Sequence, residues 1–225
     1  MPSDVEAAYS ARAGEYVAML GSISSAHPSD LQLIGSWAAQ VRGLLLDAGC
    51  GPGHLTAYLA ARGKSARGVD RVPAFIDHAR ETYPHVAFEL GSFNRLPDAT
   101  GSVGGILAWY SLIHHEPRTI RATLDEFARV LHSDGSLLVG FFIGPVVEAF
   151  EHAVVTAYRW TPDALANELK AAGFEVIETH TRTGHHTTPR PHGAILARLT
   201  FQSRMPLPEA GAEPPVPPTG AESAR

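Results

Sequence analysis

The sequence predicts an α/β fold: a doubly wound, mostly parallel sheet with helices on both faces. Three observations carry this. From residue 44 onward, short apolar runs alternate with segments of helical spacing. The first run ends in a glycine-rich turn, LLLDAGCGPGH. The last two strand-like runs lie close together with no helix between them, as an antiparallel hairpin at a sheet edge would.

Each element has a local reason. Residues 4–20, DVEAAYSARAGEYVAML, put Val5, Ala8, Tyr9, Tyr16, Met19 and Leu20 on one broad helical face. GSISSAHPSD follows as a loop of turn formers. Ser29 or Asp30 can cap a second helix, LQLIGSWAAQV, by accepting bonds from its free N–H groups. LLLDAG is a short buried strand, and HLTAYLAARG is a helix that Gly63 stops. ARGVD is the next strand. PAFIDHARETY is the next helix, with Pro73 near its start, where a missing N–H costs little. VAFELGS is strand-like, and GGILAWYSLIHH is a strand running into a loop. RTIRATLDEFARVL is an amphipathic helix and GSLLVGFFI a strand. TPDALANELKAAG is a helix entered through Thr161 and Pro162. FEVIETHTR and GAILARLTF are late strands joined by a His/Thr/Pro-rich connection. Residues 206–225 are rich in proline and lack an apolar period, which predicts a disordered tail. The expected division is an N-terminal helical lid at 1–43, a core at 44–202 and the tail from 203 to 225.

Composition narrows the partners. The chain has 225 residues, 44% of them hydrophobic, enough for one domain with a sizeable core. Its formal charge of −5 is mild and its basic residues are scattered, so no nucleic-acid partner is expected. No apolar run approaches the roughly 20 residues that span a bilayer. The first residues are polar and acidic where a signal peptide is apolar. One cysteine, Cys50, excludes an internal disulfide framework. The expectation is a soluble cytoplasmic protein, with monomer and homodimer both open.

The glycine-rich turn is the first candidate site. Gly49, Gly51 and Gly53 stand just past the first strand, where missing Cβ atoms permit a tight turn and a close ligand. Asp70 ends the second strand, where a carboxylate can accept from both hydroxyls of a ribose. The stretch therefore predicts a nucleoside site. A dinucleotide fingerprint would need a glycine where His54 stands. Asp47, at the strand–turn junction, would repel a pyrophosphate and attract an ammonium. At hydrogen-bond range that attraction is a few kcal/mol before screening, for an effective dielectric of about 20.

At these residues the chain resembles the class I S-adenosylmethionine-dependent methyltransferases. LLLDAGCGPG followed by GVD is similar to their first motif and their acidic second motif, and the likeness runs over roughly residues 5–200. It implies a Rossmann-like, seven-stranded sheet whose last strand is inserted antiparallel. It implies that Asp47 and the backbone of Gly49, Cys50, Gly51 and Gly53 face the methionine amine and carboxylate. It gives Asp70 the ribose hydroxyls and sets Arg71 beside the adenine. Many relatives carry Asp-Ala at Ser92-Phe93; here Ser92 is a weaker acceptor, while the Phe93 N–H can still reach the ring. Relatives often carry aspartate at Gly104, a departure that bears on strand-end geometry. Cys50 is explained by its small size rather than by reactivity.

Methyl transfer is an in-line displacement in which alignment supplies much of the rate. A hydroxyl or acidic-carbon acceptor also benefits from a base, and imidazole suits neutral pH. AWYSLIHHEP follows the fourth strand and is similar to the A-W-Y-S-L-I-H segment of small bacterial relatives. By that likeness His114 borders the methyl group and can act as base; packing or helix capping is the other reading. His115 is expected to face solvent. Strand alternation sends Trp109 and Tyr110 to opposite faces, so at most one need point into the cleft, and core packing is the other reading. Tyr9 and Tyr16 stand two helical turns apart on one face. In relatives such a helix closes over the cofactor, where the tyrosines can bind its carboxylate, Tyr16 beside the reacting groups; plain packing is the alternative. Ser24, Ser25 and His27 read as an exposed linker or as part of an acceptor pocket. His180, His185, His186 and His192 lack zinc-site spacing, so no metal is expected.

The leading expectation is methyl transfer from S-adenosyl-L-methionine to a small-molecule acceptor, with S-adenosyl-L-homocysteine as product. The competing readings are an NAD(P)-dependent oxidoreductase and a non-catalytic nucleoside-binding protein of the same fold. O-, N- and C-methylation stay open, since a shared fold hosts many chemistries.

Overall fold

The computed structural model describes residues 4–183 and 191–200. Its elements in chain order are α1 (Asp4–Ala11), α2 (Ala13–Leu20), a 3-10 turn at Ile23–Ser25, α3 (Pro28–Gln40), β1 (Leu45–Ala48), α4 (His54–Ala61), β2 (Ala66–Asp70), α5 (Pro73–Thr82), β3 (Ala87–Leu90) and β4 (Val103–Trp109). Then come α6 (Ile120–Val130), β5 (Leu131–Ile143), β6 (Glu148–Phe150), β7 (Ala157–Trp160), α7 (Pro162–Ala171), β8 (Phe174–Arg182) and β9 (His192–Leu199). The expected tail, His185 and His186 lie outside the described residues.

The main sheet runs β3-β2-β1-β4-β5-β9-β8. Its first five strands are parallel, and β9 lies antiparallel to both β5 and β8. This is the expected doubly wound, seven-stranded order. Strand order reverses between β1 and β4, which opens a crevice beyond their carboxyl ends. Two further strands extend the sheet. β7 pairs parallel with β5 through Phe142 and Ile143, and β6 pairs antiparallel with β7. They are three and four residues long, too short to carry a readable period.

Alternation along the strands sorts the core into two layers. Leu46, Ile106 and Val139 pack with Leu124 and Phe127 of α6 and Leu165 of α7. Their neighbours Leu45, Leu107 and Leu138 turn the other way, onto Ile34 and Trp37 of α3 and Leu59 of α4. Each fully buried leucine or isoleucine contributes about 1.5–3 kcal/mol. Within the 1–43 segment, α3 is thus part of the core, whereas α1 and α2 bury one residue, Ala13.

Several local expectations need correction. The helix expected over 4–20 breaks at Arg12, whose backbone leaves helical geometry. The Arg12 guanidinium is held by Glu15 and by the Ala153 carbonyl. The next helix starts at Pro28 and is capped by His27, whose Nδ1 accepts from the Ser29 N–H at 3.2 Å, not by Ser29 or Asp30. Proline at the first helical position moves the cap one residue upstream. Thr161 caps α7 as expected, accepting from the Ala164 N–H at 3.1 Å. No described helix is long and apolar enough to cross a membrane.

Candidate functional site

The chain leaves β1 into a turn in which Gly49, Gly51 and Gly53 all adopt positive φ, at 81°, 52° and 88°. Only glycine takes such a run cheaply. The Gly49 and Cys50 N–H groups both donate to the Val69 carbonyl, at 2.8 and 3.1 Å, tying the turn to β2. Asp70 completes the tie. Its Oδ2 accepts from the Gly51 N–H and its Oδ1 from the Val72 N–H, each at 2.9 Å. Burial pushes the Asp70 carboxyl above its ordinary range, and these two donors pull the other way. The Arg71 backbone N–H and guanidinium add to that pull, so the carboxylate is fixed at the crevice.

A cavity of about 400 Å³ opens here, within the range of small-molecule sites. It collects most of the residues singled out in the sequence. Gly49, Gly51, Asp70 and Arg71 form one side, Phe93, Trp109 and His114 another, and Tyr9 and Tyr16 come from the N-terminal helices. Four expected residues do not line it. Asp47 lies beneath the turn, 2% exposed, with Oδ2 accepting from Thr56 Oγ1 at 2.6 Å. That burial raises its carboxyl to about 7. Cys50 turns away to pack with Ile76, Ala79 and Phe88. Gly53 starts α4 under the Phe88 ring. Ser92 is occupied, its Oγ accepting from Arg71 Nη2 at 3.2 Å and from the Asn94 N–H at 3.3 Å.

Val72, Phe75, Asn94 and Ser111, not singled out for the site in the sequence, also line it, as do Val5, Glu116, Arg118 and Thr119, and so do Tyr110 and His115. Two of these overturn an expectation. Tyr110 and Trp109 both line the cavity, because Tyr110 has φ 57° and the strand's alternation stops before it. His115 does not face solvent. Its Nε2 lies 3.0 Å from Asn94 Oδ1, which also accepts from Thr123 Oγ1 at 2.9 Å, and burial pushes its imidazole down to about 4. The departure at Ser92 was the available signal that some other side chain must take over there.

His114 sits between two partners. Its Nδ1 lies 2.8 Å from the Thr156 carbonyl and its Nε2 lies 2.8 Å from Tyr9 Oη. A carbonyl can only accept, so Nδ1 carries the proton, Nε2 offers a lone pair and Tyr9 donates to it. Burial lowers the His114 pKa, while the Thr156 bond raises it. Tyr9 and Tyr16 pack edge to face at 5.4 Å and both lie on Phe75. Burial pushes the Tyr16 hydroxyl up to about 12 and that of Tyr9 further still. Ser24, Ser25 and His27 do not line the cavity. His180 pairs with Glu178 on β8, and His192 reaches Tyr110 Oη at 2.6 Å. Among the described residues no group of three or more His, Cys, Asp or Glu could hold a metal ion.

Residues 45–135, from β1 to the start of β5, match the family of methyltransferase domains. A ubiquinone biosynthesis O-methyltransferase of Azorhizobium caulinodans is 30% identical over 153 residues, which is 60% of this chain and 59% of that protein. The chain spans less than two thirds of that relative's length. Solved structures share the methyltransferase domain's fold. The 1,6-didemethyltoxoflavin-N1-methyltransferase of Burkholderia thailandensis, solved with its acceptor and S-adenosylhomocysteine, is 21% identical with a TM-score of 0.68. The match covers 89% of this chain and 92% of that one. The cyclase SpnF is 16% identical with a TM-score of 0.73, covering 88% and 97%. A fold shared with a cyclase leaves the reaction to be argued from the site.

Proposed function

We propose that the protein transfers a methyl group from S-adenosyl-L-methionine to a small-molecule acceptor. The observation that carries this is Asp70, held by two backbone N–H groups at the edge of a 400 Å³ cavity beside the glycine turn. A carboxylate at that place suits the hydroxyls of a ribose. Gly51, with room where a Cβ would stand, lets the methionine portion approach the turn, and Arg71 flanks the adenine. With Ser92 engaged, the Phe93 N–H and the Asn94 amide read the adenine edge. Asn94 Oδ1 already accepts from Thr123 and faces His115, so its N–H2 donors are left for the cavity. Asp47 acts through the turn it supports. Residues 4–20 form the cover; the neutral hydroxyl of Tyr16 donates toward the cofactor, while that of Tyr9 is given to His114.

When bound, the cofactor supplies a methyl group activated by its sulfonium. His114 holds the lone pair of Nε2 toward the cavity, with its tautomer fixed by the Thr156 carbonyl. An acceptor hydroxyl that takes the place of Tyr9 Oη would pass its proton to that nitrogen. The nicotinamide alternative is disfavoured by His54 in place of a third glycine and by Asp47 under the turn. The non-catalytic alternative leaves the His114 imidazole only the structural role of holding Tyr9. Calorimetric titration of S-adenosylmethionine and S-adenosylhomocysteine tests the reading. Micromolar binding that Asp70→Ala weakens tenfold or more, about 1.4 kcal/mol, supports it. No binding to folded, ligand-free wild type would refute it.

A further inference from the structure

Tyr110 and His114 line the cavity, and they are also the two ends of a chain of rings outside it. Tyr110 packs on Phe142 with centroids 5.0 Å apart, and Phe142 on Phe150 at 5.6 Å. His152 lies 6.1 Å from both phenylalanines and 5.4 Å from His114, which returns the chain to the cavity. His192 closes the back, 5.6 Å from Tyr110 and 5.7 Å from Phe142.

These six rings come from β5, β6, β9 and the loops after β4 and β6, so no single element's packing explains them. All are half-buried, unlike the core rings Phe127 and Phe141, which are almost fully enclosed. Two arginines near the wall are paired, while Glu151, between Phe150 and His152, is an exposed carboxylate. Arg159 stacks on Phe150 at 4.4 Å and pairs with Glu148 at 3.2 Å, and Arg182, whose field reaches Tyr110, pairs with Asp30 at 2.7 Å.

We infer that the methyl acceptor is a planar aromatic molecule bearing a hydroxyl, and that this half-buried wall of rings binds it. The inference rests on the methyl-transfer reading and names its substrate class. Aromatic faces and edges carry opposite partial charge, so the wall discriminates a flat π system from a saturated ring of similar size. The acceptor's hydroxyl then lies toward His114, at the point where the wall meets the cavity.

The full-length protein, saturated with S-adenosylhomocysteine, would be titrated with 2-naphthol and with decahydro-2-naphthol. Binding would be followed by calorimetry and by saturation-transfer NMR. The aromatic probe is expected to bind at least tenfold tighter, about 1.4 kcal/mol. Phe150→Leu, on the short strand β6, is expected to remove most of that preference while leaving S-adenosylhomocysteine affinity within about twofold. Phe142→Leu serves as the second variant. Equal affinity for the two probes, or binding of neither with the cofactor product bound, overturns the wall as acceptor site. Failure of S-adenosylhomocysteine to bind overturns the cofactor reading, and this inference with it.

Discussion

Asp47 and His114 carry opposite lessons about a single titrating group. Burial raises the Asp47 carboxyl from 3.8 to about 7, so the folded state keeps a proton that the unfolded chain has released. Stability is therefore lost as pH rises between those two values. Asparagine can accept the same Thr56 bond and has nothing to titrate. The melting temperature of Asp47→Asn relative to wild type should be higher at pH 8 than at pH 4. A flat difference would mean the carboxyl is not raised. For His114, burial lowers the pKa below its ordinary 6.5, so the base stays neutral into mild acid. With a hydroxyl acceptor, the acid limb of kcat should lie below pH 6.5. His114→Ala should lose about 10²–10⁴ in kcat and lose that limb, measured as S-adenosylhomocysteine release. At this scale the sequence was legible where a residue type has one physical use: Asp70 after a strand, glycine in a turn. It was illegible at Tyr110 and His115. The left-handed backbone of Tyr110 resets which way the following side chains point, and no spacing encodes that.

The helices and strands were legible wherever a period was sustained for long enough. β6 and β7 were missed because three and four residues hold no period, and the break at Arg12 was missed because both flanking segments keep the same apolar face. Gly104 shows a sequence departure acquiring its reason. Its N–H donates to the Leu44 carbonyl at 2.8 Å, and a Cβ added there would stand 1.8 Å from the Arg42 carbonyl oxygen. The link between α3 and β1 crosses the start of β4 at that point. The aspartate that many relatives carry has no space in this chain. Gly104→Ala should destabilise by about 1–3 kcal/mol or more, read as a lower urea midpoint at unchanged m-value.

Across the whole molecule, the order of the sheet came through family likeness, since spacing alone cannot say where β9 inserts. The two-layer core followed from alternation, and the site followed from where strand order reverses. What no pattern announced is how lightly the N-terminal cover is attached. α1 and α2 bury one residue, and Met19 at the far end stands 72% exposed. The cover is pinned by the Tyr9–His114 bond, by Arg12 on Ala153, and by two tyrosines on Phe75.

In the proposed function, helices so attached would act as a clock. Tyr9 and Tyr16 line the same cavity as Asp70, so cofactor and its spent form must exchange past them, in a strict sequence and at the pace of the opening motion. Residence time, rather than the displacement itself, would then govern turnover. Rapid mixing should reveal a burst of one product equivalent followed by a slower steady rate. A chain lacking residues 1–20 should melt within a few degrees of the intact protein, hold S-adenosylhomocysteine more briefly, and show no burst.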